Sequence, residues 1–331
     1  MLAPISRDRL ATLLAAARGR RVVVVGDAML DVYLRGDVER ISPEAPVPVV
    51  RVRDRRDALG GAANVAQNVL AVDAHCALVA AIGEDVAGDR LRGLLRELGG
   101  ATDALVTVAR PTTTKTRLLA RSQQLLRFDE EEDRDLEEAD VTRVVASLTV
   151  ALATADAVIL EDYNKGVLVP AVIEATIRIA SERGVPVIVD PKFRNFFSYR
   201  GATVFKPNRR ELEQALGAAV DLAHPEALPA TLDRLDVEHL LLTLSEHGMA
   251  LVSRGGEITR IPTTAREVYD VVGAGDTVTA YLALMLAAGA TAREASVIAN
   301  YAAGVEVGKL GAATVTPAEV LAAYDLLHPA A

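Results

Sequence analysis

The chain has one cysteine, Cys76, no tryptophan and only 4% aromatic residues among its 331. A lone thiol excludes any disulfide within the chain and fits a reducing compartment. Long hydrophobic runs are missing too. "AYLALMLAAGA" (280–290), among the longest, is too short to cross a bilayer. The N-terminal "MLAPISRDRLATLLAAARGRR" carries charge throughout and reads as a short amphipathic helix, not a signal peptide. These absences predict a cytoplasmic protein with no membrane partner. Zinc-type Cys/His spacing is absent. Positive charge is in deficit, 36 Lys and Arg against 45 Asp and Glu for a net charge of -9. That excludes a general nucleic-acid binder, though a locally basic site can still hold a phosphorylated small molecule. "VVVVGDAMLD" (22–31) lacks a G-x-G-x-x-G turn, which disfavours a nicotinamide dehydrogenase. Low-complexity segments and repeats of 20–50 residues are absent as well.

What is present is half hydrophobic and 24% charged, a globular composition long enough for one large α/β domain. Strand-like runs alternate with helix-like ones. "RVVVVGD" (21–27), "AHCALVAAIG" (74–83), "ADAVILED" (155–162), "VPVIVDP" (185–191) and "ATVFKPN" (202–208) read as strands. "GGAANVAQNVLAV" (60–72) and "DRLRGLLRELG" (89–99) read as helices, the second closed by Gly99. Continuous Val/Ile/Leu runs without alternation predict strands covered on both faces. The β/α order therefore predicts a central, mostly parallel sheet between helical layers.

Two regions break this rhythm. Residues 31–58 are rich in Pro and Arg, with β-type alternation in "VPVVRVR", and residues 112–131 alternate as well. We expect two hairpin-like arms, over about 31–58 and 104–130, pairing into a small separate sheet that acts as a lid on a single domain spanning 1–331. Long surface loops are the alternative, but loops of that length in compact domains are commonly functional. The acidic run 129–140 reads as a solvated turn before a helix rather than a metal site.

The chemistry concentrates in "DVVGAGDTV" (270–278). Gly273, Ala274 and Gly275 remove bulk where a helix begins, so a phosphate can approach its free N–H groups. Asp276 then stands at the mouth, a poor neighbour for phosphate unless it takes a proton from an attacking hydroxyl. A Gly-rich turn with Asp276 as helix cap is the alternative for this stretch alone. "GGAAN" (60–64) is a second Gly pair opening a helix, and "KPNRRE" (206–211) sets Asn208 and Glu211 three apart at another helix start. That N-x-x-E spacing is also a capping box. "LTLSEHG" (242–248) ends a strand in a polar turn. All four lie where strands give way to helices or turns, the ligand edge of an open α/β sheet.

With "GGAANVAQN", N-x-x-E and "DVVGAGDTV" together, the chain closely resembles the ribokinase-like (PfkB-type) sugar kinases over nearly its whole length. Within that family, "RISPEAPVPVV", "EDYNKG", "VDPK", "TLSEHGM", "AREVYDVVGAGDTV" and "VGKLGAATVTP" look most like the D-glycero-β-D-manno-heptose-7-phosphate kinases of lipopolysaccharide precursor synthesis. The resemblance implies a three-layer α/β/α domain with a β-sheet lid, ATP and Mg²⁺ as cofactors, K⁺ as a further one, a sugar phosphate as acceptor, and a homodimer formed through the lid. It implies Asp276 as catalytic base and Gly273, Ala274 and Gly275 as the anion hole. Asn208 and Glu211 resemble the pair that organises Mg²⁺, through water, and the ATP phosphates. Asp31, Gly60, Gly61 and Asn64 match sugar-contacting positions, while Asp162, Lys165 and Lys192 occupy the heptose kinases' "DY-K-G" and "DPK" places. Ser245, Glu246 and Gly248 fall in the nucleotide loop, with Asn300 on the adenine side. Asp270 and the carbonyl of Val272 match a monovalent-cation loop. Arg40, Arg51, Arg117, Arg127, Lys165 and Lys192 are the cations offered to the sugar's own phosphate, Lys192 first and Lys165 second.

Two departures stand out. Met29 replaces a sugar-binding Asn of ribokinases, against ribose, and Val272 stands where Thr is usual. The five histidines form no HxGH-type motif of an adenylyltransferase, so a single-function kinase is expected. A kinase for another sugar, sugar phosphate or nucleoside is the neighbouring alternative. A non-catalytic sugar-binding regulator is the alternative from another class; the presence of Asp276, Asn208 and Glu211 together speaks against it.

Overall fold

The computed structural model describes residues 5–121, 123–221 and 228–329. After helix α1 (Arg7–Ala16), strand β1 (Arg21–Gly26) enters the centre of the molecule. Its four valines alternate between two cores: Val22 and Val24 pack on one side of the sheet, Val23 and Val25 on the other. This double burial is why the strand is apolar throughout rather than alternating.

The chain then leaves the core. Strands β2 (Ala28–Ile41) and β3 (Pro48–Gly61) form a long antiparallel hairpin and return the chain to α2 (Ala62–Leu70). The apolar run 74–83 is not one strand. It divides into β4 (His75–Val79), which joins β1, and β5 (Ala81–Gly83), which pairs instead with β6 (Val106–Val108) beyond α3 (Val86–Glu97). Helix α3 starts three residues earlier than its charge pattern suggested, because the Asp85 carboxylate accepts the Gly88 N–H at 2.7 Å.

Strands β7 (Thr114–Ala120) and β8 (Gln123–Glu130) make a second hairpin, and β7 lies parallel to β2. The order β3-β2-β7-β8 is a four-stranded sheet separate from the main one. Its bounds differ from the expected 31–58 and 104–130. The first arm reaches from Ala28 to Gly61, and the second begins only at Thr114, since β6 is tied to β5.

The rest of the chain builds the main sheet: α4 (Glu138–Leu152), β9 (Ala157–Glu161), α5 (Pro170–Glu182), β10 (Val187–Asp190), β11 (Val204–Phe205), α6 (Arg209–Leu216), α7 (Leu228–Leu235), β12 (His239–Thr243), β13 (Met249–Ser253), β14 (Ile258–Ile261), then α8 (Ala274–Ala287), α9 (Ala292–Glu306) and α10 (Pro317–Leu327). The eight strands run in the order β14-β13-β12-β11-β10-β9-β1-β4. All neighbours are parallel except the β12–β13 and β13–β14 pairs. One core holds residues of α1, α2, α8, α9 and α10, the other residues of α4, α5, α6 and α7. The result is a three-layer α/β/α domain carrying a small second sheet.

The chain progresses to one side of β1 through β4 and to the other through β9 and β10. The crevice at the carboxyl ends of β1 and β9 is where such sheets place ligands. In register, Glu161 lies between Gly26 and Asp190 at that edge.

Candidate active site

Helix α8 starts without a side-chain cap. Its N-cap is Gly273 at φ 98°, a left-handed conformation that favours glycine. A Cβ there would lie 3.2 Å from both the Asn64 amide nitrogen and Ala312. The turn is thus glycine for conformation and for closeness, and the first-turn N–H groups of Ala274, Gly275 and Asp276 have no side chain capping them. An anion at this end meets those groups and the positive end of the helix dipole.

Asp276, on the first turn, is 7% exposed. One carboxylate oxygen accepts from the Asn64 amide at 2.5 Å, the other from the Tyr163 hydroxyl at 2.9 Å. Burial pushes its pKa up to about 6, against the lowering effect of these two bonds. A carboxylate so poised is a competent proton acceptor near neutral pH. Asn64 is itself fixed, its side-chain oxygen accepting from Gln67 at 2.5 Å.

Three other groups, none singled out in the sequence, gather around Asp276. Glu161, Asp190 and Asp276 bring carboxylate oxygens within 4.8 Å of one another. The buried Lys206 ammonium donates to Asp190 at 2.8 Å. Burial works against the Asp190 charge, but Lys206 and Lys192 outweigh it and hold the carboxyl below its ordinary value. Glu161 is fully buried with neither oxygen partnered by a donor, and burial beside Asp190 and Asp276 pushes its pKa well up. Of the two acids Asp190 holds its charge the more readily, and Glu161 holds its proton to the higher pH. The only signal in sequence was position: Glu161 and Asp190 end apolar strands.

The "EDYNKG" loop is built from below. Asp27, buried after β1, accepts the N–H groups of Tyr163, Lys165 and Val167 at 2.8, 2.9 and 3.1 Å. Asp162 is buried too. It accepts from Asn164 N–H at 2.7 Å and from the Tyr199 hydroxyl at 2.8 Å, and burial raises its pKa to about 6. Its side chain therefore holds the loop. The residue of this loop that reaches the base is Tyr163. Lys165 pairs with Glu131 at 2.6 Å, where β8 ends.

The β2–β3 hairpin brings Asp31 and Gly60 together: a Cβ on Gly60 would lie 2.5 Å from the Asp31 carboxylate. Asp31 is 7% exposed and accepts from Arg117 at 2.5 Å. Met29 is opposite Gly60, and Gly61 leads directly into α2 and Asn64. Asp31 and Gly60 thus meet where the hairpin runs through Gly61 into α2, whose Asn64 donates to Asp276.

The capping box at α6 is real. Asn208 accepts from the Glu211 N–H and Glu211 from the Asn208 N–H, both at 2.8 Å. The other Glu211 oxygen takes the Lys192 ammonium at 2.5 Å, and that ammonium lies 5.3 Å over the Tyr163 ring. Burial disfavours the Lys192 charge, yet Asp190 and Glu211 keep its pKa above normal. This places Lys192 with the Asn208–Glu211 group rather than at the far end of the sugar site where the sequence reading put it.

A cleft of about 480 Å³ opens beside the α8 start. Asn208, Ser245, Glu246, Gly248, Ala274, Gly275 and Asn300 all line it. The Asn300 amide donates to Pro262 O at 2.8 Å, so its side chain holds the 262–264 segment at the cleft wall. Asp270 accepts the N–H groups of Val272 and Gly311, each at 3.1 Å, and so ties the turn before α8 to the loop after α9.

The model of the pfkB family carbohydrate kinases matches residues 20–319. The bifunctional protein HldE of Gluconacetobacter diazotrophicus is 49% identical over 304 residues, 91% of this chain and 63% of the relative. That of Rhodospirillum rubrum is 46% identical over 318 residues, 95% of this chain and 64% of the relative. The chain thus spans somewhat under two thirds of these curated relatives. Among solved structures, Arabidopsis thaliana ribokinase complexed with ribose and ATP superposes with a TM-score of 0.71 at 22% identity, covering 92% of this chain and 98% of that one. Phosphofructokinase-2 from Escherichia coli in complex with potassium gives 0.76 at 18% identity, covering 93% and 99%. At such identities these two speak for the fold. The chain belongs to the pfkB family of carbohydrate kinases and is a sugar kinase.

Proposed function

We propose that this kinase transfers the γ-phosphoryl group of ATP to the anomeric C1 hydroxyl of D-glycero-β-D-manno-heptose 7-phosphate. The product is heptose 1,7-bisphosphate, a precursor of ADP-heptose and the lipopolysaccharide core. The observation that carries the chemistry is the buried Asp276 carboxylate, held by Asn64 and Tyr163 at an uncapped helix start that lines the cleft. The sugar assignment rests on the motif set that resembles heptose-7-phosphate kinases, with relatives named HldE in support.

In this reading the sugar lies against Asp31, Gly60, Gly61 and Asn64, and Asp276 takes the proton from its C1 hydroxyl. Asn64 and Tyr163 hold the carboxylate in line. The nucleotide occupies the cleft, with Ser245, Glu246 and Gly248 along it. The α8 N–H groups and Lys192 receive charge on the transferring group. The oxygens of Asn208 and Glu211 are hard donors that suit Mg²⁺ held through water. When bound, that ion neutralises phosphate charge. The loop tied by Asp270, with the Val272 carbonyl, is where a K⁺-type ion fits. The four-stranded sheet acts as a lid that excludes water. Its exposed Val38, Ile41, Val47, Val52, Leu126 and Phe128 form the surface for a homodimer.

Mass analysis of the product after mixing protein, ATP and heptose 7-phosphate tests the reading. A bisphosphate whose new phosphate is on C1 is expected; no turnover beside a fructose phosphate or nucleoside that does react would replace it. Glu211→Gln should shift the Mg²⁺ dependence of activity to higher concentration at fixed ATP. An unchanged titration curve would leave Glu211 with only its capping role.

A further inference from the structure

The second sheet carries an unusual arrangement of charge on the face that holds Asp31. Residues two apart along a strand share a face, and directly paired residues of neighbouring strands share it too. The register places Asp31 opposite Ala58 and Lys115, and Lys115 opposite Asp129. One step further from α8, Tyr33 is opposite Arg56 and Arg117, and Arg117 is opposite Arg127. The register shifts of this sheet all lie beyond these positions, so both rows are regular. The second row is therefore Arg56, Tyr33, Arg117 and Arg127, three guanidiniums across four strands.

Such a row is unfavourable for the sheet alone, because like charges directly opposite one another repel. Asp31 holds Arg117 at 2.5 Å, and Asp129 holds Arg127 through two bonds of 3.0 and 2.9 Å while also taking Lys115 at 3.0 Å. Arg117 lies 5.2 Å over the Tyr33 ring. Arg56 makes no ion pair among the described residues. Its β3 neighbours differ: Arg51, Arg53 and Arg55 meet Glu39, Asp37 and Asp57 at 3.5, 3.1 and 3.0 Å. Lys115 is also held by Glu131 at 3.0 Å, which takes Lys165 as well, so five cations (Arg56, Lys115, Arg117, Arg127, Lys165) face three carboxylates (Asp31, Asp129, Glu131). The excess matches one dianion.

Its place fits the acceptor. The Tyr33–Arg56 pair is four residues along the strands from the Met29–Gly60 pair, where the hairpin enters α2 and its Asn64 bonds Asp276, roughly 13 Å at the usual rise. We infer that Arg56, Arg117 and Arg127 bind the phosphate the acceptor sugar already carries, at the end away from the hydroxyl that Asp276 deprotonates. The inference rests on the sugar-phosphate reading above. Of the cations first offered to that phosphate it keeps Arg117 and Arg127 and adds Arg56, while Lys192 lies with Glu211 and Lys165 with Glu131.

The test compares kcat/KM for heptose 7-phosphate and for the same heptose without phosphate, in the wild type, Arg56→Ala and Arg127→Ala. Both positions are exposed, so unchanged melting temperatures should accompany the variants. Each substitution should lower kcat/KM for the phosphorylated sugar by ~10–100-fold, the worth of one charge-assisted bond, and leave the unphosphorylated sugar nearly unaffected. Arg56→Lys should restore part of the loss. A wild type indifferent to the sugar's phosphate would sink the sugar-phosphate reading and this inference with it. A wild type that prefers the phosphorylated sugar, with variants that lose nothing or lose equally on both sugars, would overturn the inference alone.

Discussion

Asp276→Asn should lower kcat by ~10²–10⁴-fold, the usual worth of a general base, while ATP binding stays close to wild type. The substitution keeps shape and removes only the proton acceptor. Asn64 can still donate to the oxygen of the substituted amide, and the Tyr163 hydroxyl, which accepts as well as donates, can take the amide N–H in place of its own bond to the carboxylate. The cleft proposed for the nucleotide is lined by Ala274 and Gly275 but not by Asp276, so nucleotide affinity should survive. A variant retaining more than about a tenth of wild-type kcat, far outside that range, would show that Asp276 is not the base. The wild type adds a pH signature. Burial sets the Asp276 pKa at about 6, and the base works only when deprotonated. Activity should therefore rise with pH through about 6 and level off above it. A profile flat from pH 5 to 8 would contradict the assignment.

The second large effect is on stability. Lys206 is 3% exposed, and its ammonium is the nearest compensation for the charge on Asp190 in a pocket that also holds Glu161 and Asp276. Lys206→Met keeps much of the volume and removes the charge. Breaking a buried ion pair from one side costs ~3–5 kcal/mol, because the partner is left charged and dry. Urea unfolding at pH 7 should show a loss of that size. Asp190 is held below its ordinary value of 3.8, so the pair's contribution is present above that value and lost as pH falls through the lower folded one. The gap between wild type and variant should thus narrow only in strong acid. A loss under ~1 kcal/mol, the range of an exposed pair, would mean that Asp190 is neutralised by protons shared with Glu161 instead.

Much of this was legible in the sequence. A strand buried on both faces must be apolar throughout, so β1, β9 and β10 announced themselves, and their alternation with helices announced a parallel sheet. The bare helix start at Gly273, Ala274, Gly275 and Asp276 was readable because glycine and alanine leave a first turn without bulk or a capping side chain. The N-x-x-E pair was readable because capping chemistry is local, and the local rule could not tell a cap from a phosphate site that uses one.

What the sequence did not determine is set by partners far away in the chain. The run 74–83 splits because β5 finds β6 some twenty-five residues on, a pairing no local pattern encodes. Lys192 and Lys165 looked free, but their charges are committed to Glu211 and Glu131 across the fold. Asp162 looked like a sugar ligand and is turned inward by Tyr199, while Tyr163 beside it reaches the base. Arg56 was one arginine in an arginine-rich hairpin until strand register set it in line with Arg117 and Arg127. Composition and periodicity fix which residues are buried and where helices begin. Which charges meet is a matter of sheet register and layer packing, and that is decided only when distant strands are brought side by side.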